Sequence, residues 1–285
     1  MVQNKITANF FWNSNKLSLY EYSCLQSFIK NNFNVRVFSY KKIKLPKGAR
    51  LIDAKNIIGK NEIKKFIHQG KVGCLAAFSD KFRILLQKKK LGWWFDIDIV
   101  CLKKSKSFLM LEKNRQFVIG LETSNKINNA VLKINDLQLC NILLKKISQI
   151  GYKFKWGTIG PRLIQSVLVQ KNLFKNVLKK DYFYPINYKN FKILLLPEHL
   201  SLARKITKNS FVCHNYNQIL NRFGIPKNIL PPKKSFLHEQ FIKYCPELKD
   251  NETLPLNTAK RLLERKNSFR ENIKDLVPSF IRVFS

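Results

Sequence analysis

Residues 78–102, FSDKFRILLQKKKLGWWFDIDIVCL, constrain this chain more than any other stretch. The run 93–100, WWFDIDIV, reads as a strand, because aromatic and β-branched residues surround its two acids. Side chains alternate across a strand, which puts Trp94, Asp96 and Asp98 on one face and Trp93, Phe95, Ile97 and Ile99 on the other. Burying two neighbouring carboxylates is costly unless positive charge lies between them. A divalent cation meets that need, since hard ions such as Mg2+ and Mn2+ take carboxylate oxygens together with phosphate oxygens.

The preceding segment reads as a helix from about Gly73 to Lys90, with Leu75, Phe78, Phe82, Leu85 and Leu86 at helical spacing on one face. Lys88, Lys89 and Lys90 at its negative end and Gly92 just beyond are ordinary stop signals. Asp80 and Arg83 lie one turn apart on a shared face. A bare DxD occurs by chance in many loops; an SDxxR helix, a glycine turn and a DxD strand in succession form a far more specific pattern.

That pattern, Ser79-Asp80, Arg83, Gly92, Trp94 and Asp96-Ile97-Asp98, resembles the DxD-containing sugar transferases of glycosyltransferase family 32 and their relatives. These include capsule-type sugar transferases, yeast mannosyltransferases and clostridial toxin catalytic domains. The resemblance implies a GT-A, Rossmann-like nucleotide-sugar-binding fold with a mostly parallel central sheet flanked by helices. It also implies Mn2+ or Mg2+ as cofactor and retention of anomeric configuration. Asp96 and Asp98 would hold the metal, Asp80 would accept hydrogen bonds from sugar hydroxyls, and Ser79, Arg83 and Trp94 would line the donor site.

The opening of the chain agrees with an α/β class. Residues 6–12 read as a strand, Ser18 and Glu21 form a capping box for a helix through about Asn31, and residues 35–40 read as a second strand. Strand, helix, strand at this spacing predicts a parallel sheet with ligand at the carboxyl ends of its strands. Trp12 would then lie at the binding edge, where an aromatic ring can stack on a nucleobase, and the resemblance implies base contact for Phe11 or Trp12. Asp53 reads as a helix cap in a loop entering a helix, and residues 61–69 as a short helix. Residues 117–122 (FVIGLE) read as a buried strand, 123–129 as a polar loop and 135–150 as a helix.

Further matches are carried by the resemblance alone. Asn128 or Asn129 corresponds to an Asn contacting the donor sugar, and we take Asn129 as the candidate. Thr158-Ile-Gly160-Pro161 is similar to a T-G-P segment, with an Ile inserted, before a helix spanning 162–170. Residues 211–217, FVCHNYN, resemble a late strand ending in a His, making His214 a third metal-ligand candidate with Asn215 and Asn217 as alternative oxygen ligands.

Composition sets outer bounds. The 285 residues suffice for one main core, and 45% hydrophobic with 12% aromatic content argues for a folded chain. The net charge of +35 attracts nucleotide diphosphates, anionic membrane surfaces or nucleic acid. Six cysteines without a CxxC pair argue against a zinc site and for a reduced, cytoplasmic location. The N-terminal residues lack an apolar leader, and no apolar run approaches the length of a membrane span. Domain limits fall at 1–222 for the GT-A glycosyltransferase domain and 223–285 for a basic tail. That tail has a linker containing Pro226, Pro231 and Pro232, then a basic helix. The tail either anchors the chain peripherally at the inner face of the membrane or packs back on the domain.

The function expected is transfer of a hexose from a UDP- or GDP-sugar to a glycan or lipid-linked acceptor in surface polysaccharide synthesis. Two other classes are a basic nucleic-acid-binding protein and a catalytically degenerate transferase acting as a scaffold. Nucleic acid is disfavoured because the basic residues form no stripe and the most distinctive segment is acidic.

Overall fold

The computed structural model describes residues 5–68, 71–153 and 157–264. In chain order come β1 (Thr7–Phe11), α1 (Leu19–Lys30), β2 (Asn34–Ser39), β3 (Ala49–Asp53) and a two-strand ribbon, β4 (Ile67–His68) and β5 (Lys71–Val72). Then follow α2 (Leu75–Lys88), β6 (Trp93–Phe95), β7 (Ile99–Cys101), α3 (Ser105–Glu112), β8 (Phe117–Leu121) and β9 (Ile127–Ile134). The remainder is α4 (Leu137–Ile150), α5 (Pro161–Gln170), α6 (Leu200–Thr207), β10 (Val212–His214), α7 (Asn217–Arg222), α8 (Phe236–Tyr244) and helical residues 256–264.

The central sheet has the order β3-β2-β1-β6-β9-β8. Its first four strands are parallel, and β9 and β8 close the far side antiparallel. The βαβ opening is formed as expected, and α1 begins where the Ser18 N–H donates to Glu21 Oε2 at 2.8 Å. Apolar alternation accounts for buried Ala8 and Phe10 in β1, but Asn9 between them is buried too. Its Nδ2 donates to the carbonyls of Leu91 (3.0 Å) and Trp93 (2.9 Å), tying β1 to the entry of β6. Gly92 enters the sheet with φ 116°, and a Cβ there would lie 2.6 Å from the Thr7 carbonyl oxygen, so the approach requires glycine.

Four sequence expectations need correction. Residues 93–100 are not one strand: the Asp96 N–H donates to the Ala130 carbonyl (2.8 Å), and the Ile99 N–H turns back to the Asp96 carbonyl (3.2 Å). The chain then leaves the central sheet, and β7 pairs antiparallel with β10. The stretch read as a loop ends an edge strand, 49–53, while Asp53 does cap the short helix Ala54–Asn56 that follows, its Oδ1 accepting the Lys55 N–H (2.9 Å). The segment 127–134 is a strand although it was expected to begin as loop, because Asn128 and Asn129 spend their side chains on other elements.

The fourth concerns the segment after residue 222. It is not a free linker: Ile225, Leu230, Phe236, Leu237, Phe241, Ala259 and Leu263 share an apolar cluster with Tyr20 and Cys24 of α1. Asn31 Nδ2 reaches the Tyr244 hydroxyl at 3.2 Å, stitching α1 to α8. Burial of this many apolar side chains outweighs the prolines, of which Pro232 opens a turn: the Ser235 N–H donates to its carbonyl at 3.0 Å. Of the basic helix and apolar end, residues 257–285, read together as a possible anchor, 257–264 are helical and place Ala259 and Leu263 in this cluster, and 265–285 lie outside the described residues. Among the described residues no helix is long and apolar enough to cross a membrane.

Candidate active site

Asp96 directly follows β6, Asp98 sits in the turn before β7, and His214 ends β10. Antiparallel pairing places His214 opposite Ile99, and this brings imidazole Nε2 to 3.2 Å from Asp98 Oδ1. One ligand atom each from Asp96, Asp98 and His214 lie within 4.8 Å of one another. Two carboxylates and an imidazole, hard oxygen donors beside one nitrogen, can hold a divalent cation. The two acids therefore converge, not by strand alternation, but because the turn swings Asp98 back toward the end of β6.

Asn215 and Asn217 meet Asp98 through backbone: the Asn215 N–H donates to the Asp98 carbonyl (2.9 Å) and the Asn217 N–H to Asp98 Oδ2 (2.8 Å). Burial works against the charged carboxylate of Asp98, but His214 and the backbone N–H groups of Asn217 and Asp98 itself outweigh it and hold its pKa below the ordinary value. Burial likewise disfavours the imidazolium of His214, yet the Asp98 charge prevails and raises its pKa.

The SDxxR motif works as an internal brace. Arg83 is buried, and its guanidinium donates to the Asn129 carbonyl (2.6 Å), the Ser79 carbonyl (3.2 Å) and the Ser79 hydroxyl (3.3 Å). It also pairs with Asp80 (3.4 Å) and Asp96 (3.2 Å) and lies over the Trp94 ring, 4.8 Å from the centroid. Trp94 Nε1 donates to Asp96 Oδ1 at 2.8 Å. Asp80 Oδ1 accepts from Asn129 Nδ2 at 2.9 Å. Its pKa is raised, because burial exceeds the opposing pull of Arg83 and Asn129. Every one of Ser79, Asp80, Arg83, Trp94, Asp96 and Asn129 thus falls in one connected network.

Two cavities meet at Asp96 and Asp98. One, about 480 Å³, is walled by Phe11, Trp12, Leu75, Ser79 and Trp94. The other, about 420 Å³, is polar, with Asp80, Glu122, Asn128, Asn129, Tyr188 and His214 on its walls. Arg83 and Gln218 line both. Phe11 is only partly available: its ring packs against Tyr40, Phe78 and Phe82. Trp12 donates Nε1 to the Lys16 carbonyl at 3.0 Å, which fixes its ring at the cavity rim.

Sequence reading missed several lining residues. Glu122, whose Oε1 accepts from Asn128 Nδ2 (3.1 Å), follows β8 directly, and its place at the carboxyl end of a strand could have marked it. Tyr188 carried no local signal, and Tyr216 only that of an aromatic after the strand-ending His214. Gly160 caps α5 with Pro161 in its first turn, and a Cβ there would collide with the Asp80 carboxylate. The Gly-Pro pair is therefore a site feature as well as a turn signal.

Fold and site together define a class: a mixed α/β sheet with flanking helices and, at its strand ends, a cleft whose two carboxylates and imidazole can hold a divalent cation. More particularly, residues 138–251 match the family described as the alpha 1,4-glycosyltransferase conserved region. The matched stretch holds Gly160 and His214 but excludes the DxD and SDxxR motifs, so it stands independently of them, and it fits the family 32-like group those motifs resemble. Among solved structures the chain is similar to PaToxG glycosyltransferase, with 12% identity over 59% of this chain and 69% of that one (TM-score 0.39). The bifunctional glycosyltransferase WbbM in its apo form shows 11% identity over 87% of this chain and half of that one (TM-score 0.47). Galactosyltransferase LgtC, in complex with donor and acceptor sugar analogs, shows 13% identity over 86% of this chain and 96% of that one (TM-score 0.44). No curated protein matches the chain in sequence.

Proposed function

We propose that this chain is a metal-dependent, retaining glycosyltransferase and moves a hexose from a nucleotide sugar to a glycan or lipid-linked acceptor in surface polysaccharide synthesis. The observation that carries the reading is the Asp96–Asp98–His214 cluster at the seam between an aromatic-walled cavity and a polar one. The first suits a nucleobase and ribose against Phe11, Trp12 and Trp94; the second suits sugar hydroxyls facing Asp80 and Asn129. Mn2+ or Mg2+ held by the three side chains would supply Lewis-acid neutralisation of the departing diphosphate.

The protein's own groups do the rest. Arg83 and Trp94 fix Asp96 Oδ1, and Asp96 lines both cavities. Arg83 is preorganised charge beside the leaving group, needing no rearrangement as negative charge develops. Asp80, locked by Arg83 and Asn129, presents its remaining acceptor capacity to sugar hydroxyls. Glu122 Oε1 is engaged by Asn128, Asp80 by Arg83 and Asn129, and Asp96 and Asp98 are assigned to the metal. Among the described residues no cleft carboxylate is therefore assigned to double displacement, and front-face displacement is the route we assign. A net charge of +35 supports attachment at the anionic inner face of the membrane.

The test is a calorimetric screen of UDP- and GDP-sugars with Mn2+, followed by transfer assays. Binding of one donor and its metal-dependent turnover, abolished in Asp98→Asn, is the expected result. Metal-dependent turnover surviving in Asp98→Asn would refute the assignment, and donor binding without hydrolysis or transfer would leave only a scaffold.

A further inference from the structure

Asp98 lies in a turn between two strands of different sheets, so no ladder fixes its side chain. What fixes it is the 215–217 loop. Tyr216 there has φ 56°, the left-handed region, in which the flanking N–H groups can converge on one acceptor residue. A non-glycine residue keeps that conformation only where its surroundings hold it. Tyr216 is buried, donates its hydroxyl to the Ile186 carbonyl at 3.0 Å, and packs its ring 4.2 Å from that of His214.

The loop's other anchor is Glu21, fully buried on α1. Its Oε1 accepts from Asn217 Nδ2 (2.6 Å) and from Lys227 Nζ (2.6 Å), while Oε2 takes the Ser18 N–H. A carboxylate that only capped its helix would sit as well in water. Burying one inside α1 is costly unless it is paired and hydrogen-bonded, and here the pairing runs away from the helix toward the site.

We infer that Glu21 is a positioning residue for Asp98, acting through Asn217, with Lys227 supplying the compensating charge. The chain of contacts is Lys227 to Glu21, Glu21 to the Asn217 side chain, and the Asn217 N–H to Asp98 Oδ2. Holding Oδ2 leaves Oδ1 facing His214 and the cleft. This rests on the reading of Asp98 as a metal ligand; groups one shell out from a ligand commonly control metal affinity about ten- to a hundredfold.

The experiment measures Mn2+ affinity of the full chain by calorimetry without donor, alongside thermal melting. Five proteins are compared: wild type, Asn217→Ala, the double variant Glu21→Met/Lys227→Met, the combination of these three substitutions, and Asp98→Asn. The double variant replaces a buried ion pair by apolar groups of similar size, a change that often leaves stability intact. Asn217→Ala and the double variant should each bind Mn2+ about ten- to a hundredfold more weakly. Combining them should weaken binding no further, because both cut the same chain. A merely structural role would lower the melting midpoint and leave the Mn2+ affinity of the folded protein unchanged; that result overturns the inference. Should the double variant not fold, Asn217→Ala, altered at a partly exposed side chain, decides alone. Wild-type Mn2+ binding by Asp98→Asn would instead overturn the metal reading and the inference with it, whereas loss in Asp98→Asn with no loss in the others sinks the inference alone.

Discussion

Replacing Gly160 by alanine tests whether the α5 cap was shaped around Asp80. The added Cβ would lie 2.6 Å from Asp80 Cγ and 2.8 Å from Oδ1, with Oδ2 nearer still. Ordinary carbon–oxygen contact is about 3.4 Å or more, so the carboxylate or the helix must move by about an ångström. Asp80 cannot retreat freely, because Arg83 and Asn129 hold it from behind. Loss of the Asn129 bond to a charged acceptor costs about 1.5–3 kcal/mol. At roughly 2–4 °C per kcal/mol for a chain of this size, the melting midpoint should fall by about 3–12 °C. A displacement of this size in a substrate-positioning group costs on the order of a hundredfold in rate, so kcat/KM for the donor should drop by about that factor. Melting and steady-state transfer assays check both figures. An unchanged midpoint and full activity would refute the steric reasoning; a lowered midpoint with full activity would show that Asp80 does not contact the donor.

Three further outcomes are expected. His214 carries a raised pKa, so its pairing with Asp98 stabilises the metal-free protein fully below the ordinary histidine value of 6.5 and is lost as pH rises through the raised value. Mn2+ needs the neutral ring, so calorimetric affinity should climb with pH above 6.5 and the climb should flatten in His214→Gln. Glu62 is opposed by burial, but hydrogen bonds from Lys81, Tyr152 and Lys65 win and depress its pKa to about 2. Its stabilisation is therefore present above 4.5 and lost as pH falls toward 2, and acid melting curves of Glu62→Gln should lack that component. Trp94→Phe keeps the buried ring but removes the bond to Asp96 Oδ1, and kcat/KM should fall about tenfold or more with a small change in melting.

The motif carrying the site was legible because its chemistry is local: Asp80 and Arg83 lie one turn apart on α2, and a glycine must precede β6. The capping box of α1 and the Gly160–Pro161 entry to α5 were legible for the same reason. The break after Phe95 was not. WWFDIDIV contains no glycine or proline, and only the distant partners, β9 on one side and β10 on the other, pull its halves apart. Asn128 and Asn129 hid β9, since their side-chain bonds to Glu122 and Asp80 override a preference for loops. The prolines near residue 230 disguised a packed segment whose apolar residues find their partners two hundred positions earlier.

That last pairing has a consequence for how the chain is made. Tyr244 meets Asn31 across 213 positions, so α1 leaves the ribosome long before α8 exists to cover it. At about 5–20 residues per second, this face of α1 stays wet for roughly 10–40 s during synthesis. The nascent protein thus carries its opening strands with one apolar flank bare until α8 has been made, and that interval is when a chaperone would be of most use to it.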